Sequence, residues 1–198
     1  NLLYPGDTPH DNAQFLVFLC AVVRAVHKYS GMLRMGTTSA GNDHRLGGHE
    51  APPAIFSIYL GSQLNEVVEG IISKKPVPGS QGGMMRIGVN SLPPLPRDAT
   101  DRNRTSPVAF TGEKFEFRSV GASHSTSPMT FLVNAAVTES LDYFASELEA
   151  ATAAGQNLLD AVKALLEKEF AAHQNIIFNG DGYTDEWVKE AKERGLPN

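Results

Sequence analysis

Apolar residues recur at helical spacing in two long segments of this chain, and this periodicity constrains the fold more than any other feature. The first segment predicts a helix from about Asn12 to Tyr29, capped by Asn12 and closed by Ser30-Gly31. The second predicts a helix from about Asn157 to His173. The apolar positions are Phe15, Phe18, Leu19, Val22, Val23 and Val26 in the first segment, and Leu158, Leu159, Val162, Leu165, Leu166 and Phe170 in the second. We therefore expect a fold dominated by helix.

Three further helices follow from end signals and composition. One is predicted from about Ala54 to Ile72. Ser127-Pro128 combines an N-cap residue with a first-turn proline, which predicts the start of a long helix to about Ala153. The last helix starts near Thr184, carries acidic residues in its first turn and ends at Gly195.

Strand signals are few. The stretch Glu113–Arg118, EKFEFR, alternates apolar and charged residues and follows a predicted turn at Thr111-Gly112. A short strand is predicted around Met85–Val89, inside a proline- and glycine-rich excursion from Lys74 to Ala99. The segment Thr37–Pro53 is too rich in glycine, proline and polar residues for a regular helix. The predicted fold class is α+β, helix-rich with a few antiparallel strands.

Bulk properties exclude several classes of protein. A formal net charge of −5 argues against nucleic-acid binding driven by bulk electrostatics. The apolar run around Cys20 is followed by charged residues too soon to span a bilayer, and no secretory signal is visible. Cys20 is the single cysteine, so an internal disulfide framework is excluded and a reducing, cytoplasmic location is expected. We interpret Cys20 as a buried, inert thiol.

Ionisable side chains gather in the loop between Thr37 and Pro53. They are Asp43, His44, Arg45, His49 and Glu50. One interpretation is a solvated surface loop. The other is a binding loop, in which glycines let the backbone approach a ligand that Arg45 and Glu50 reach. The two histidines are weak evidence for a metal, because no third ligand accompanies them.

A second basic segment lies further along the chain. Arg102 and Arg104 fall on one side of the stretch DRNRTSP if it is extended. Arginine favours planar, forked contacts with carboxylate or phosphate. The alternative is a pair of surface arginines that bind Asp98 and Asp101.

The strand EKFEFR carries opposite chemistry on its two faces. Phe115 and Phe117 point to one side, and Lys114, Glu116 and Arg118 point to the other. The charged face suits either solvent or a polar cavity with a cation at the carboxylate and anions at the bases. Together with the two basic segments, it suits an anionic substrate handled with a divalent cation. A phosphate-binding P-loop and a dinucleotide fingerprint are absent from the sequence.

Three ordered motifs, HRLGGHEAPPAI, DRNRTSPVAFTG and KFEFR, resemble glutamine synthetases, as does the closing stretch FNGDGYTDEWVKEAKERGLPN. The resemblance is to the C-terminal part of the catalytic domain of the large type III form of bacteria. It implies one partial catalytic domain over 1–198. A helix, a glutamate-binding loop and a helix occupy 1–73, and the excursion occupies 74–100. The RNR segment and a metal-binding strand occupy 101–120, and C-terminal helices occupy 127–198.

The resemblance implies an activity and its partners. These enzymes ligate ammonia to glutamate through γ-glutamyl phosphate, with ATP as co-substrate and Mg²⁺ or Mn²⁺ as metal. They form homo-oligomeric double rings in the cytoplasm, and neither nucleic acid nor membrane is an expected partner. The resemblance also implies an internal fragment of a longer synthetase, which we expect to be inactive alone.

Residue roles follow from the same resemblance. Arg45 and Arg118 match arginines that hold the substrate glutamate. Glu50 matches the mobile glutamate that closes over the site and helps to bind or deprotonate ammonium, and so counts as both catalytic and substrate-binding. Glu116 matches a metal ligand that lies between the nucleotide phosphates and the substrate.

The remaining roles concern phosphate and nucleotide. Arg104, the second arginine of RNR, matches one that meets the transferred phosphate. Lys114 stands where better-known forms often have an arginine near the nucleotide. Ala109 replaces an arginine of those forms, and Arg102 or Lys114 would compensate for its loss. The HRLGGHEAP loop is also one residue shorter than usual.

Two other functions stay open at this point. The amine could be different, which would give a γ-glutamyl ligase with another second substrate. The chain could also belong to a non-catalytic regulatory or assembly module of the same fold. That module would not need the charged residues of the motifs, which are all present.

Overall fold

The computed structural model describes residues 1–47, 51–75, 106–119, 121 and 123–198, and the backbone alone of 84–85 and 95–96. The helices are α1 (Ala13–Lys28), α2 (Ser30–Gly36), α3 (Ala40–Arg45), α4 (Ser62–Ser73), α5 (Ser127–Ala153), α6 (Leu158–His173) and α7 (Asp185–Glu193). The strands are β1 (Ile58–Tyr59), β2 (Met84–Met85), β3 (Leu95–Pro96), β4 (Val108–Phe110) and β5 (Phe115–Phe117). The predicted helix-rich α+β class is confirmed.

The core lies where three long helices meet. Helix α1 packs against both α5 and α6, which also pack against each other, and α4 packs on α6. Apolar side chains from each long helix are fully buried at this junction, among them Phe15, Leu19, Phe144 and Phe170. The helical periodicity of α1 is explained by this burial, because its apolar stripe is the surface that the other two helices cover.

A buried arginine links the same three helices. Arg24 of α1 is 6% exposed; its Nη1 donates to Glu139 Oε2 at 2.8 Å and to Ser140 Oγ at 2.9 Å. Its Nε lies 3.5 Å from Glu169 Oε2, and its guanidinium sits 4.1 Å from the centre of the Tyr143 ring. These partners offset the desolvation of the guanidinium. The hydrogen bond from Arg24 is the main reason that the pKa of Glu139 falls to about 2.

Two histidines face each other beside this network. The Nδ1 atoms of His27 and His173 are 2.9 Å apart, so one ring donates and the other accepts. Burial lowers the pKa of both histidines, and His173 adds to the effect on His27. Protonation is therefore disfavoured in the folded protein.

The sheet beside the helices is mixed. Strand β4 is central: it pairs in parallel with β1 and antiparallel with β5. The predicted turn at Thr111-Gly112 joins β4 to β5, with Thr111 N donating to Lys114 O at 2.9 Å. On the other side of β1, Phe178 N donates to Ile58 O at 2.8 Å. Strands β2 and β3 form a separate antiparallel pair, which overlaps the predicted strand around Met85.

The helix predicted from about Ala54 is wrong at its start. The chain is extended up to Gly61, and helix α4 begins only at Ser62. The residues before Gly61 that are buried are Ala54, Ile55, Phe56, Ser57, Ile58 and Leu60. A short apolar run that is buried on both faces has no period that separates strand from helix. Gly61 has φ of 80°, which favours glycine and ends the extended run.

Two helices were not predicted. The chain bends by 71° after Tyr29 but continues as α2, so Ser30-Gly31 ends α1 without ending helical structure. The loop from Thr37 contains α3, contrary to the expectation that this segment holds no regular helix. Ser39 explains this helix, because its side chain accepts a hydrogen bond from Asn42 N at 3.1 Å and caps the first turn.

Most helix ends agree with the sequence. Asn12 caps α1, Asn157 caps α6 and Thr184 caps α7 through side-chain hydrogen bonds. Helix α5 begins at Ser127 with Pro128 in its first turn, as predicted, although Thr126 occupies the N-cap position. The side chains of Asn12, Asn157 and Thr184 each satisfy a backbone donor that the helix leaves unpaired, whereas Thr126 makes no such hydrogen bond.

Cys20 lies inside α1 and is 1% exposed, which confirms the interpretation of a buried thiol. Burial raises its pKa well above the ordinary value, and Glu169 adds to the rise. Among the described residues, no single helix has the length and apolar composition to cross a membrane. Helices α1 and α2 pass that test when taken together, across the bend between them.

Candidate functional site

A cavity of about 1330 Å³ opens between the sheet, α1, α5 and the end of α3. Val22 and Val26 of α1 and Met129, Val133 and Val137 of α5 form its apolar side. The β4–β5 hairpin and the residue that follows it line another side and supply three of its charged groups, Lys114, Glu116 and Arg118. The cavity thus has a hydrophobic floor and a charged wall, a combination common in small-molecule sites.

The charged wall brings together residues that are far apart in sequence. Arg45, at the end of α3, lines the same cavity as Lys114, Glu116 and Arg118 of the hairpin. Arg45, Glu116 and Arg118 are half-buried and Lys114 is exposed. Among the described lining residues, cations therefore outnumber carboxylates by three to one. Such a wall attracts anions.

Glu116 and Arg118 also pair with each other. Arg118 directly follows β5, two positions after Glu116, and its backbone N donates to Pro107 O at 2.8 Å, so the two side chains leave the chain on the same face. Arg118 Nη2 and Nε approach Glu116 Oε2 at 3.1 and 3.3 Å. The side chain of Arg118 is 19% exposed and that of Glu116 is 42% exposed. A ligand that draws one member of this pair changes the electrostatic surroundings of the other.

The aromatic face of β5 packs mainly on neighbours of the sheet. The ring centroids of Phe115 and Phe110 are 5.3 Å apart, and those of Phe117 and Phe56 are 5.9 Å apart. Both phenylalanines of β5 are half-buried and also line the cavity. Their packing fixes the strand that carries Glu116, which pairs with β4 and is an edge strand in the described part of the sheet.

Helix α3 places Arg45 at the mouth of a short loop. The helix ends at Arg45, and Leu46 forms a bridge with Ala51, while Gly47 N donates to Ala51 O at 3.1 Å. Arg34 holds the outer side of α3, because its Nη2 donates to Asp43 Oδ1 at 2.9 Å. The position of Arg45 is therefore set by contacts on both sides of it.

Three predicted site residues lie outside the described residues: Glu50, Arg102 and Arg104. Their described neighbours in sequence line the cavity, namely Ala51 after Glu50, and Ser106 and Pro107 after Arg104. His49 also lies outside the described residues. His44 is described and is exposed on α3.

The described residues that line the cavity can supply one protein ligand to a divalent cation. Mg²⁺ and Mn²⁺ prefer oxygen donors, and Mg²⁺ keeps several waters while it binds one or two carboxylates. Glu116 is the one carboxylate among the described residues that line the cavity. Within the described part of the chain, no group of three or more His, Cys, Asp or Glu residues is placed to hold a metal. Glu116 fits as a single ligand, and further ligands have to come from elsewhere.

Sequence reasoning missed the residues that support α3. Asn42 lines the cavity and is 4% exposed, and Ser39 Oγ lies 2.8 Å from His124 Nε2. Ser39 followed by a short polar run carries a capping signal. No signal in the sequence pointed to the contact with His124, which lies 85 positions away.

Comparison with known proteins finds similarity to glutamine synthetases. Residues 161–198 match the family model of the glutamine synthetase C-terminal domain. Over the whole chain, the sequence is 45% identical to the type-3 glutamine synthetase of Dictyostelium discoideum across 200 residues. It is 42% identical to a glutamine synthetase of Bacteroides fragilis across 202 residues, and 44% identical to one of Butyrivibrio fibrisolvens across 203 residues.

Each of these matches covers 100% of this chain but only 27% or 28% of the relative. The chain therefore spans about a quarter of the length of the curated relatives that it matches. The resemblance inferred from the three motifs is confirmed. Every residue of the chain lies inside these alignments, so the chain is similar over its whole length to a part of glutamine synthetases, type-3 members among them.

Proposed function

We propose that this chain forms one wall of the active site of an ATP-dependent glutamate–ammonia ligase. The observation that carries the proposal is the cavity in which Arg45, Lys114, Glu116 and Arg118 converge. Similarity to glutamine synthetases adds the reaction class. In this proposal the cationic wall binds the carboxylates of glutamate and the phosphates of ATP.

Arg45 and Arg118 hold the glutamate. Arg45 ends α3 and Arg118 directly follows β5, so they can approach one ligand from two elements. A guanidinium presents several N–H donors in one plane, which matches a carboxylate better than an ammonium group does. Two arginines on different elements would fix both the charge and the orientation of a dicarboxylic amino acid.

The reaction then proceeds in two displacements. A γ-carboxylate oxygen attacks the γ-phosphorus of ATP, and ADP leaves with the electron pair of the broken P–O bond. Ammonia attacks the γ-carbonyl carbon of the acyl phosphate, and inorganic phosphate leaves. Glu50 accepts the proton that the ammonium ion has to lose before its nitrogen can attack. Arg104 binds the transferred phosphoryl group, where it stabilises the charge that develops on its oxygens.

Lys114 and Glu116 serve the nucleotide side of the cavity. Lys114 is exposed at the tip of the hairpin, where its ammonium group can reach the phosphates of ATP, and Arg102 contributes to the same contact. Glu116 would hold a Mg²⁺ or Mn²⁺ ion, which when bound neutralises phosphate charge. When Glu116 is engaged in this way, the N–H groups of Arg118 that now face it become available to the substrate.

An assay of the full-length protein tests the proposal. Phosphate release is measured with ATP and glutamate, in the presence of ammonia or of a polyamine. Release that needs ammonia supports the glutamate–ammonia ligase. Release with a polyamine alone would point to the γ-glutamyl ligase with another amine. No glutamate-dependent release under either condition would favour the non-catalytic module.

Assembly and location complete the proposal. We infer that the full-length protein forms a homo-oligomeric ring, with glutamate, ammonia and ATP as its small-molecule partners. The buried free thiol of Cys20 fits the reducing cytoplasm. Light scattering of the full-length protein tests the assembly, and a monomer at micromolar concentration would contradict it.

A further inference from the structure

A buried asparagine joins the two segments that carry the arginines of the cavity. Asn42 Nδ2 donates to the Thr37 carbonyl at 2.7 Å and to the Ser119 carbonyl at 3.2 Å. Both N–H groups of the amide are thus used, and the side chain is 4% exposed. Thr37 leads into α3, whereas Ser119 follows β5. One side chain therefore connects two elements that are 77 positions apart in sequence.

The two contacts lie next to the arginines. Ser119 directly follows Arg118 in the chain. Asn42 precedes Arg45 by three positions in α3, which is nearly one helical turn, so the two side chains leave the helix on neighbouring sides. The length of the Asn42–Ser119 contact consequently sets how far the end of α3 lies from the end of β5.

A second contact runs between the same two segments. Ser39 Oγ is 2.8 Å from His124 Nε2, and it accepts the hydrogen bond from Asn42 N that caps α3. Helix α3 is therefore attached to the chain after β5 at its first turn and at its middle. A helix of six residues is too short to be stable in isolation, so these contacts determine where it lies.

Packing around the amide is close. A Cβ atom placed on Gly121 would lie 3.0 Å from Asn42 Oδ1, a contact tight enough to displace the amide slightly. An aspartate at position 42 would have the same shape but no N–H groups. It would turn carboxylate oxygens towards the carbonyl oxygens of Thr37 and Ser119, which now accept from Asn42.

We propose that Asn42 is a positioning residue, which fixes the spacing of Arg45 and Arg118 and thereby the affinity for the carboxylates of the substrate. The inference rests on the proposed function, in which these two arginines hold glutamate. Asn42 touches neither ATP nor the reacting atoms in this scheme. Its loss should therefore weaken the binding of glutamate more than it slows the chemical step.

The test uses two variants of the full-length protein with matched controls. Asn42→Asp removes both donors, and Gly121→Ala pushes on the amide without a change of charge. The control for the first variant is Asn175→Asp, the same substitution at an exposed position away from the cavity. The control for the second variant is Gly31→Ala, a glycine at which an added Cβ atom meets nothing within 4 Å. Steady-state kinetics give KM for glutamate, KM for ATP and kcat, and hydrogen exchange follows residues 39–47 and 118–119.

Because a lost hydrogen bond costs about 1.4 kcal/mol, we expect Asn42→Asp to raise KM for glutamate about tenfold, and Gly121→Ala, which only displaces the amide, to raise it about threefold. KM for ATP should be unchanged, and both controls should give wild-type values. Amide exchange should become faster in both segments of the Asn42→Asp protein. An unchanged KM for glutamate in a folded variant overturns the inference, even if the melting temperature falls. If Asn42→Asp does not fold, Gly121→Ala decides by the same criterion. Failure of the proposed function shows instead in the wild type, as absence of glutamate-dependent phosphate release.

Discussion

Replacement of Arg118 by lysine tests the chemistry of the cavity wall. The change keeps the positive charge and removes the planar fork of donors. In the structure, Nη2 and Nε of Arg118 both reach one oxygen of Glu116, at 3.1 and 3.3 Å, so the guanidinium presents two N–H groups to one carboxylate. Lysine would present a single ammonium group on a flexible chain.

The magnitude follows from the lost contact. A hydrogen bond to a charged group is worth about 1.5–3 kcal/mol, and the lower part of that range applies here because the side chain of Arg118 is 19% exposed. A loss of about 1.5–2 kcal/mol corresponds to a decrease of about 10- to 30-fold in kcat/KM for glutamate. Most of the decrease should appear in KM for glutamate.

The assay is steady-state phosphate release by the full-length protein with glutamate varied at saturating ATP and ammonia. Arg194→Lys is the matched control, because Arg194 lies outside the cavity and donates to the carbonyl oxygens of Asn175 and Ile177. That control should lower the melting temperature and leave KM for glutamate unchanged. If Arg118→Lys keeps kcat/KM within twofold of the wild type, the forked contact with substrate is refuted.

Three further outcomes are expected. Glu116→Gln should lower turnover most at limiting Mg²⁺ and leave assembly intact, because the amide is a poor metal ligand of nearly the same shape; normal turnover at low Mg²⁺ would exclude Glu116 as a ligand. Glu139→Gln should lower the free energy of unfolding, measured in urea, by about 1 kcal/mol, a value discounted for the 39% exposure of the Glu139 side chain. The difference between variant and wild type should shrink as the pH falls from about 5 towards the lowered pKa of about 2, because the wild-type carboxylate is then protonated as well. Because the pKa values of His27 and His173 are lowered in the folded protein, the stability that these neutral rings contribute is complete above pH 6.5 and is lost at lower pH. The melting temperature should therefore decrease as the pH is lowered from 6.5, and it should decrease less in a His27→Asn, His173→Asn protein. An equal decrease in both proteins would rule out the histidine pair as its source.

The sequence predicted the parts of the fold that are encoded locally. The cap Asn12 and the helix starts near Asn157 and Thr184 depend on neighbouring residues, and the alternation of EKFEFR needs only five or six residues to be recognised. The segment before Gly61 was misassigned because its apolar residues are buried on both faces, and that burial depends on strands and helices distant in sequence.

In the candidate site, too, the residues in local motifs were predicted and a residue that acts through a distant contact was not. Arg45, Glu116 and Arg118 could be named because they stand in motifs, and their convergence on one cavity became visible only in three dimensions. Asn42 was missed because an asparagine in a polar segment resembles a surface residue. Its importance comes from a contact with Ser119, which no local pattern encodes.

A structure of the full-length protein with glutamate and a non-hydrolysable ATP analogue would show whether the cavity binds the substrate. We expect a carboxylate of glutamate within hydrogen-bonding distance of the guanidinium groups of Arg45 and Arg118, inside the cavity that the β4–β5 hairpin borders. We also expect a metal ion on Glu116. Glutamate bound at another place, with both arginines turned away from it, would refute the proposed glutamate site.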